Sequence, residues 1–143
     1  MSYRDTSDQS GNRSQMLAML EITQRGWIVL QPVSRDSIYD LVVDHGNGTF
    51  ATVQVKTMSG NSISKVVDRS GEVVSRTGKV RNSTDYAAHG IDWLVGVNKE
   101  GECFFYSLAN YKDIPTKSFS VNKWPADEFP TNKVPQRHTK KSK

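Results

Sequence analysis

The chain has 143 residues, 36% of them hydrophobic and three of them Trp, which is enough for one domain with its own core and short for two. It contains no run of about 18 apolar residues for a membrane span, and the opening MSYRDTSDQSGNRS lacks the apolar stretch of a signal peptide. A soluble, intracellular protein of cytoplasm or nucleoid, not secreted and with no membrane partner, is therefore expected. Cys103 is the only cysteine, which excludes an internal disulfide and a cysteine-based metal site and leaves oxygen or imidazole as metal ligands.

The formal charge of +4 is unevenly spread. Lys133, Arg137, Lys140, Lys141 and Lys143 fall in the last eleven residues, where there is no acid; without those five, residues 1–132 carry 14 basic against 15 acidic groups, a net charge of −1. Such a tail either contacts phosphates without regard to sequence or is a solubilising end, and its composition suits both.

In chain order, residues 1–10 are polar and read as a flexible N-terminus. From Asn12 to Arg25 good helix formers carry an apolar stripe of Met16, Leu17, Met19, Leu20 and Ile22, ended by Gly26 where helices favour glycine. Trp27–Gln31, closed by Pro32, and Ile38–Asp44 read as strands. The turn residues His45-Gly46-Asn47-Gly48 then lead into the alternating Phe50–Thr57, which makes a hairpin. Residues 59–82 suggest a small hairpin excursion around Asp68-Arg69-Ser70-Gly71. Lys65, Arg69, Arg76, Lys79 and Arg81 make it the most basic part of the body, fit for facing DNA and equally for an ordinary solvated loop. Ser83 can cap a short helix to about His89. Asp92–Asn98 and Glu102–Ser107 read as two strands around Lys99-Glu100-Gly101, with Leu108–Lys112 as a last helical turn. The folded domain is expected over 11–124 and a flexible basic tail over 125–143, where Pro125, Pro130 and Pro135 sit among charged residues. A helix, three strands in a meander, a second helix and two further strands describe an α/β or α+β domain with a mixed sheet.

Strand alternation places Asp40 with Ile38 and Val42 on one face, opposite Tyr39, Leu41 and Val43, and places Gln54 and Lys56 together on one face of the next strand. If the hairpin joins those faces, a carboxylate, an amide and an ammonium converge on an otherwise apolar surface. Burial there is costly unless they meet each other, a metal or a phosphate. Taken singly, each residue also fits a solvent-facing strand position. His45, His89 and His138 lack metal-ligand spacing, no GxxxxGK[ST] phosphate loop occurs, and the serines have no His/Asp setting for nucleophilic catalysis.

The ordered set RGWIVLQP, YDLVV and VQVKT, followed by Asp85-Tyr86 and Ile91-Asp92-Trp93, resembles the restriction-endonuclease-like core of the PD-(D/E)xK nuclease superfamily over residues 11–107. The likeness is to the small branch that includes archaeal Holliday-junction resolvases and intron-associated homing endonucleases. The resemblance implies a DNA endonuclease that hydrolyses phosphodiesters with Mg²⁺ (or Mn²⁺) and leaves a 5′-phosphate. Its partners would be double-stranded or branched DNA and further copies of itself in a homodimer or larger homo-oligomer. By position the motif Asp falls on Asp40, the Asp/Glu on Gln54 and the Lys on Lys56. A Glu that many members carry in the first helix falls on Gln15. The implied metal set is Asp40, the Gln54 side-chain oxygen and the Val55 carbonyl, with Lys56 orienting the attacking water. Gln54 and Gln15 are amides where the superfamily has acids, so Asp40 is the one anionic ligand, and the metal is expected to bind well only together with DNA. The alternatives are a junction-resolving nuclease, and a DNA-binding module that has kept the fold without the chemistry. The third is a small α/β interaction domain with a coincidental motif.

Overall fold

A computed structural model describes residues 7–34, 37–64, 86, 90–110 and 118–132. One helix, α1 (Ser7–Gln24), is followed by β1 (Ile28–Leu30), β2 (Leu41–Asp44), β3 (Phe50–Thr57), β4 (Ser62–Ser64), β5 (Trp93–Val97), β6 (Cys103–Ser107) and β7 (Ser118–Ser120). Five strands form a mixed sheet in the order β1-β2-β3-β5-β6, and β4 pairs with β7 in a separate two-stranded sheet. The meander of the first three strands is antiparallel, β3 and β5 are parallel, and β5 and β6 close an antiparallel hairpin. This is the α+β architecture with a mixed sheet that the sequence pattern implies. The helix expected over 83–89 lies outside the described residues except for Tyr86, a buried turn residue. Lys65, Arg69, Arg76, Lys79, Arg81 and residues 133–143 also lie outside them, as do residues 111 and 112 of the expected last helical turn.

α1 ends where the sequence places its stop. Gly26 adopts φ 90°, its N–H bonds the Thr23 carbonyl at 2.9 Å and that of Trp27 bonds the Ile22 carbonyl at 3.4 Å, the paired bonds of a Schellman cap. The helix starts earlier than expected, at Ser7, and runs through Gly11. Its first turns are held by tertiary contacts: Thr57 Oγ1 meets the Ser14 hydroxyl at 2.7 Å and donates to the Ser10 carbonyl at 3.3 Å. The face that packs also differs from the apolar stripe. Ser14, Ala18 and Ile22, spaced by four, are the buried residues, whereas Met16 is 67% and Leu20 53% exposed. Small side chains let the helix lie close to the sheet, and the buried Ser14 hydroxyl is tolerated because Thr57 partners it.

The main sheet separates two cores. Ala18 and Ile22 of α1 pack with Leu41, Val43, Val53, Val55, Val95, Val97 and Phe105 on one face. On the other, Leu94 and Tyr106 pack with Met58, Ile63, Phe119 and Val121, so the β4–β7 pair covers the β5–β6 half of that face. Gly96 makes this cover possible: a Cβ there would lie 2.4 Å from Ile63 Cδ1.

The segment after Trp124 corrects the expectation of a flexible tail from 125. Asp127 pairs with Phe105 at the outer edge of β6, and its Oδ2 accepts from the Ser107 N–H at 2.7 Å. Phe129 is 3% exposed and stacks on Phe105 with ring centroids 4.4 Å apart. Residues 125–132 therefore belong to the folded unit, because a buried aromatic outweighs the local Pro-rich composition.

Candidate active site

β2 begins one residue after Asp40, where the sequence pattern has it begin at Ile38. The Asp40 N–H still bonds the Val53 carbonyl at 2.8 Å, but its Oδ2 accepts the Val55 N–H at 2.8 Å in place of a backbone partner. The last paired residues of the two strands are Leu41 and Val53, so β3 runs on past β2 and a side chain completes the ladder. A strand residue points its N–H and C=O to the same side. The Val55 carbonyl thus faces the gap that holds the Asp40 carboxylate. Upstream of Leu41 the alternation expected for Ile38 and Tyr39 is lost, and both pack on the core that includes Tyr106; the Ser37 hydroxyl donates to the Tyr39 carbonyl at 2.9 Å and shapes this approach.

Along β3, Val53 and Val55 are buried beneath α1, so Gln54 and Lys56, out of phase by one, project from the opposite face. Gln54 lies opposite Leu94 and Lys56 opposite Gly96 on β5. Gln54 Oε1 is buried and has no hydrogen-bond partner. Leaving an amide oxygen desolvated and unpaired costs about 1–3 kcal/mol, a cost that a ligand bound at this oxygen would relieve. Burial pushes the Asp40 carboxyl above its ordinary value, while the Val55 N–H and the Lys56 charge pull it down. The fold thus brings Asp40, Gln54, Val55 and Lys56 to one place.

Gln15 is half-buried on α1 beside Ser14, over the Val53/Val55 face. A ligand role for Gln15 requires it to reach in past the edge of β3 where Val55 meets Asp40, since the sheet lies between its helix and the Gln54 side chain. Glu21 is engaged elsewhere, bonded to Arg25 at 2.8 Å. His45 is held by Thr49 at 2.8 Å and by an edge contact with Trp27. Two positioning residues were not singled out in the sequence, Gly96 and Thr57. A glycine inside the strand pattern Trp93-Leu94-Val95-Gly96-Val97 is a readable sign of close approach. Thr57 carries no such sign.

The donors suit a hard cation. A carboxylate, an amide oxygen and a main-chain carbonyl are the oxygen types that bind Mg²⁺ or Mn²⁺. No cluster of three or more His, Cys, Asp or Glu exists among the described residues, so a nitrogen- or sulfur-rich transition-metal centre is not formed there.

The family model of the PD-(D/E)XK endonucleases matches residues 5–121. No curated protein matches the chain. Among solved structures, the fold is similar to that of a bacterial homing endonuclease, I-Ssp6803I, with a TM-score of 0.57 and 18% identity over 94% of this chain and 84% of that one. It is also similar to Archaeoglobus fulgidus Hjc, a Holliday junction resolvase from an archaeal hyperthermophile, with a TM-score of 0.52 and 13% identity over 80% of this chain and 87% of that one. With the core order, the hairpin that carries Asp40, Gln54 and Lys56, and a family match over most of its length, this chain belongs to the PD-(D/E)XK endonuclease family.

Proposed function

We propose that the protein is a divalent-metal-dependent endodeoxyribonuclease of the homing type, cutting duplex DNA at a particular site as a homo-oligomer and leaving a 5′-phosphate. The observation that carries this reading is the buried, unpartnered Gln54 Oε1 on the strand whose Val55 N–H bonds the Asp40 carboxylate and whose Lys56 charge acts on it. Asp40, Gln54 and the Val55 carbonyl would hold the cation, Mg²⁺ or Mn²⁺. When bound, it supplies Lewis-acid charge compensation at the scissile phosphate.

The remaining work falls to the chain. The Val55 N–H fixes the Asp40 carboxylate at the gap between β2 and β3. Lys56 orients the attacking water and offsets the negative charge that develops on the phosphate oxygens. Because Asp40 is the one acid of the set, these residues alone would hold a cation weakly, and its affinity would be coupled to the presence of the DNA phosphate. Two copies related by a twofold axis would present two such sites to the two strands.

The test is nicking of supercoiled DNA with Mg²⁺ or Mn²⁺ by wild type, Asp40→Asn and Lys56→Ala. Wild type should nick and both variants should be silent. Activity that survives in both points to a contaminant, and a wild type inert on every DNA leaves a binding module without chemistry. Four-way junctions run beside linear duplex separate the homing reading from a junction-resolving nuclease, which would cut junctions selectively.

A further inference from the structure

Thr57 closes β3 two residues beyond Val55 and on the same face, the one that α1 covers. Its hydroxyl sits between two helix residues one turn apart: it donates to the Ser10 carbonyl at 3.3 Å and so receives the Ser14 hydroxyl at 2.7 Å. Ser14 is 1% exposed. A buried hydroxyl that loses its partner is costly, and the branched Thr57 side chain has few rotamers in which to follow a moving helix. Two bonds one turn apart therefore fix both the height of α1 over β3 and its roll about its own axis. The strand that carries this anchor also carries the Val55 N–H that holds the Asp40 carboxylate.

The roll decides which side chains flank the contact with the sheet. Successive helix residues turn by about 100°. With Ser14 against Thr57, Arg13 and Leu17 fall on one side of the contact and Gln15 on the other, with Ala18 and Ile22 between Ser14 and Gln15 in angle. The first side faces the β5–β6 turn: Arg13 Nη2 donates to the Lys99 carbonyl at 2.9 Å, and Leu17 Cδ1 lies 3.7 Å from where Gly101 would carry a Cβ. In the strand order β1-β2-β3-β5-β6 the other side of β3 belongs to β2. The pairing of β2 with β3 stops at Leu41 and Val53, so alongside the rest of β3 the Gln15 side opens on the gap that holds the Asp40 carboxylate. Gln15 is half-buried, as a residue flanking the contact should be, whereas Met16, about 100° further round, is 67% exposed.

We propose that Ser14 and Thr57 are positioning residues whose hydroxyl pair holds the roll of α1 that turns Gln15 to the gap beside Asp40, where its amide oxygen joins the donors for the cation. The cation clause rests on the nuclease reading; the orientation is measured without metal. The double variant Ser14→Ala, Thr57→Val removes both hydroxyls together and leaves neither buried alone, so it should keep the fold. Ser14→Ala alone, which leaves Thr57 its Ser10 acceptor, is the second variant, and Thr57→Ser is the conservative rescue. In metal-free protein, NMR should show cross-relaxation from the Gln15 side chain to the Leu41 methyl groups in wild type and Thr57→Ser, and its loss in the other two. Mn²⁺ alone is then titrated and read by paramagnetic broadening of the Val55 amide. Affinity should fall about 10- to 100-fold in the double variant, equally in Gln15→Ala, and no further when the two are combined. Absence of the Gln15–Leu41 signal in wild type, or its persistence in both hydroxyl variants, overturns the proposal. So does a loss of affinity that recurs in full on the Gln15→Ala background, because the pair would then act on the site by another route. The expected orientation with no broadening at Val55 in wild type would overturn the nuclease reading and leave the positioning pair standing; broadening without that orientation would do the reverse.

Discussion

The N–H of Val55 bonds Oδ2 of Asp40 at 2.8 Å, so the residue between the two motif positions of β3 is tied to the carboxylate that precedes β2. Asp40 is both a candidate metal ligand and the acceptor that completes a strand ladder. The two roles separate by substitution. Asp40→Asn keeps an oxygen for the Val55 N–H without the cost of a buried charge, and at neutral pH it should unfold at or above the wild-type denaturant midpoint while losing metal-dependent nicking. Asp40→Ala leaves that N–H without its acceptor and should cost about 1–3 kcal/mol in addition. Urea titrations of both variants decide it: equal stability would mean the bond contributes nothing to the fold.

Burial raises the Asp40 carboxyl above its ordinary 3.8. The folded protein then binds this proton more tightly than the unfolded chain does, so its contribution favours folding in acid. That contribution is lost as pH rises from the unfolded value through the folded one and is level above both. In metal-free buffer the stability of Asp40→Asn relative to wild type should therefore grow with pH across that window and then stay constant. Denaturation at a series of pH values from 3 upward measures it, and a difference that shrinks with pH would contradict the direction.

Gly96 faces Lys56 across the β3–β5 pairing and lies under Ile63. Gly96→Ala puts a methyl into Ile63 and should destabilise the protein by about 1–3 kcal/mol and lower nicking, since β5 supports the strand that carries Gln54 and Lys56. Adding Ile63→Ala removes the clash at the cost of a cavity. The double variant should be less destabilised than the sum of the two singles, and additivity in a double-mutant cycle would rule out the contact as the cause.

The domain limit is tested by truncation. A chain ending at Trp124 loses Phe129, the Asp127 pairing and the Asn132 bonds, and should fall in stability by at least the 3–5 kcal/mol typical of a buried Phe lost to Ala. The full chain is the reference. Circular dichroism melts of both would show it.

Cys103 is half-buried beside Leu17, and burial, with Glu21 adding and Arg25 opposing, pushes its thiol up to about 11. At pH 8 only about one thiol in a thousand is then ionised, so alkylation of the native protein should run about 100-fold slower than in urea. Equal rates would show the site open to solvent.

Much of the fold was readable because its signals are local. The glycine stop of α1, the turn residues before β3 and the period of two that sends Gln54 and Lys56 to one face each depend on a few consecutive residues, and each stands where the pattern put it. The ordered Asp40, Gln54 and Lys56 motif carried the family. What the tertiary structure decided depends on partners far away in sequence. Ser14 is a packing residue because Thr57 meets its hydroxyl, and the three-residue β4 and β7 exist as strands through each other. Residues 125–132 fold because Phe129 finds Phe105. The carboxylate of Asp40 takes the place of a strand partner for Val55, which alternation along one strand cannot express. Local propensity is a property of the chain; burial and hydrogen-bond satisfaction belong to the assembled molecule.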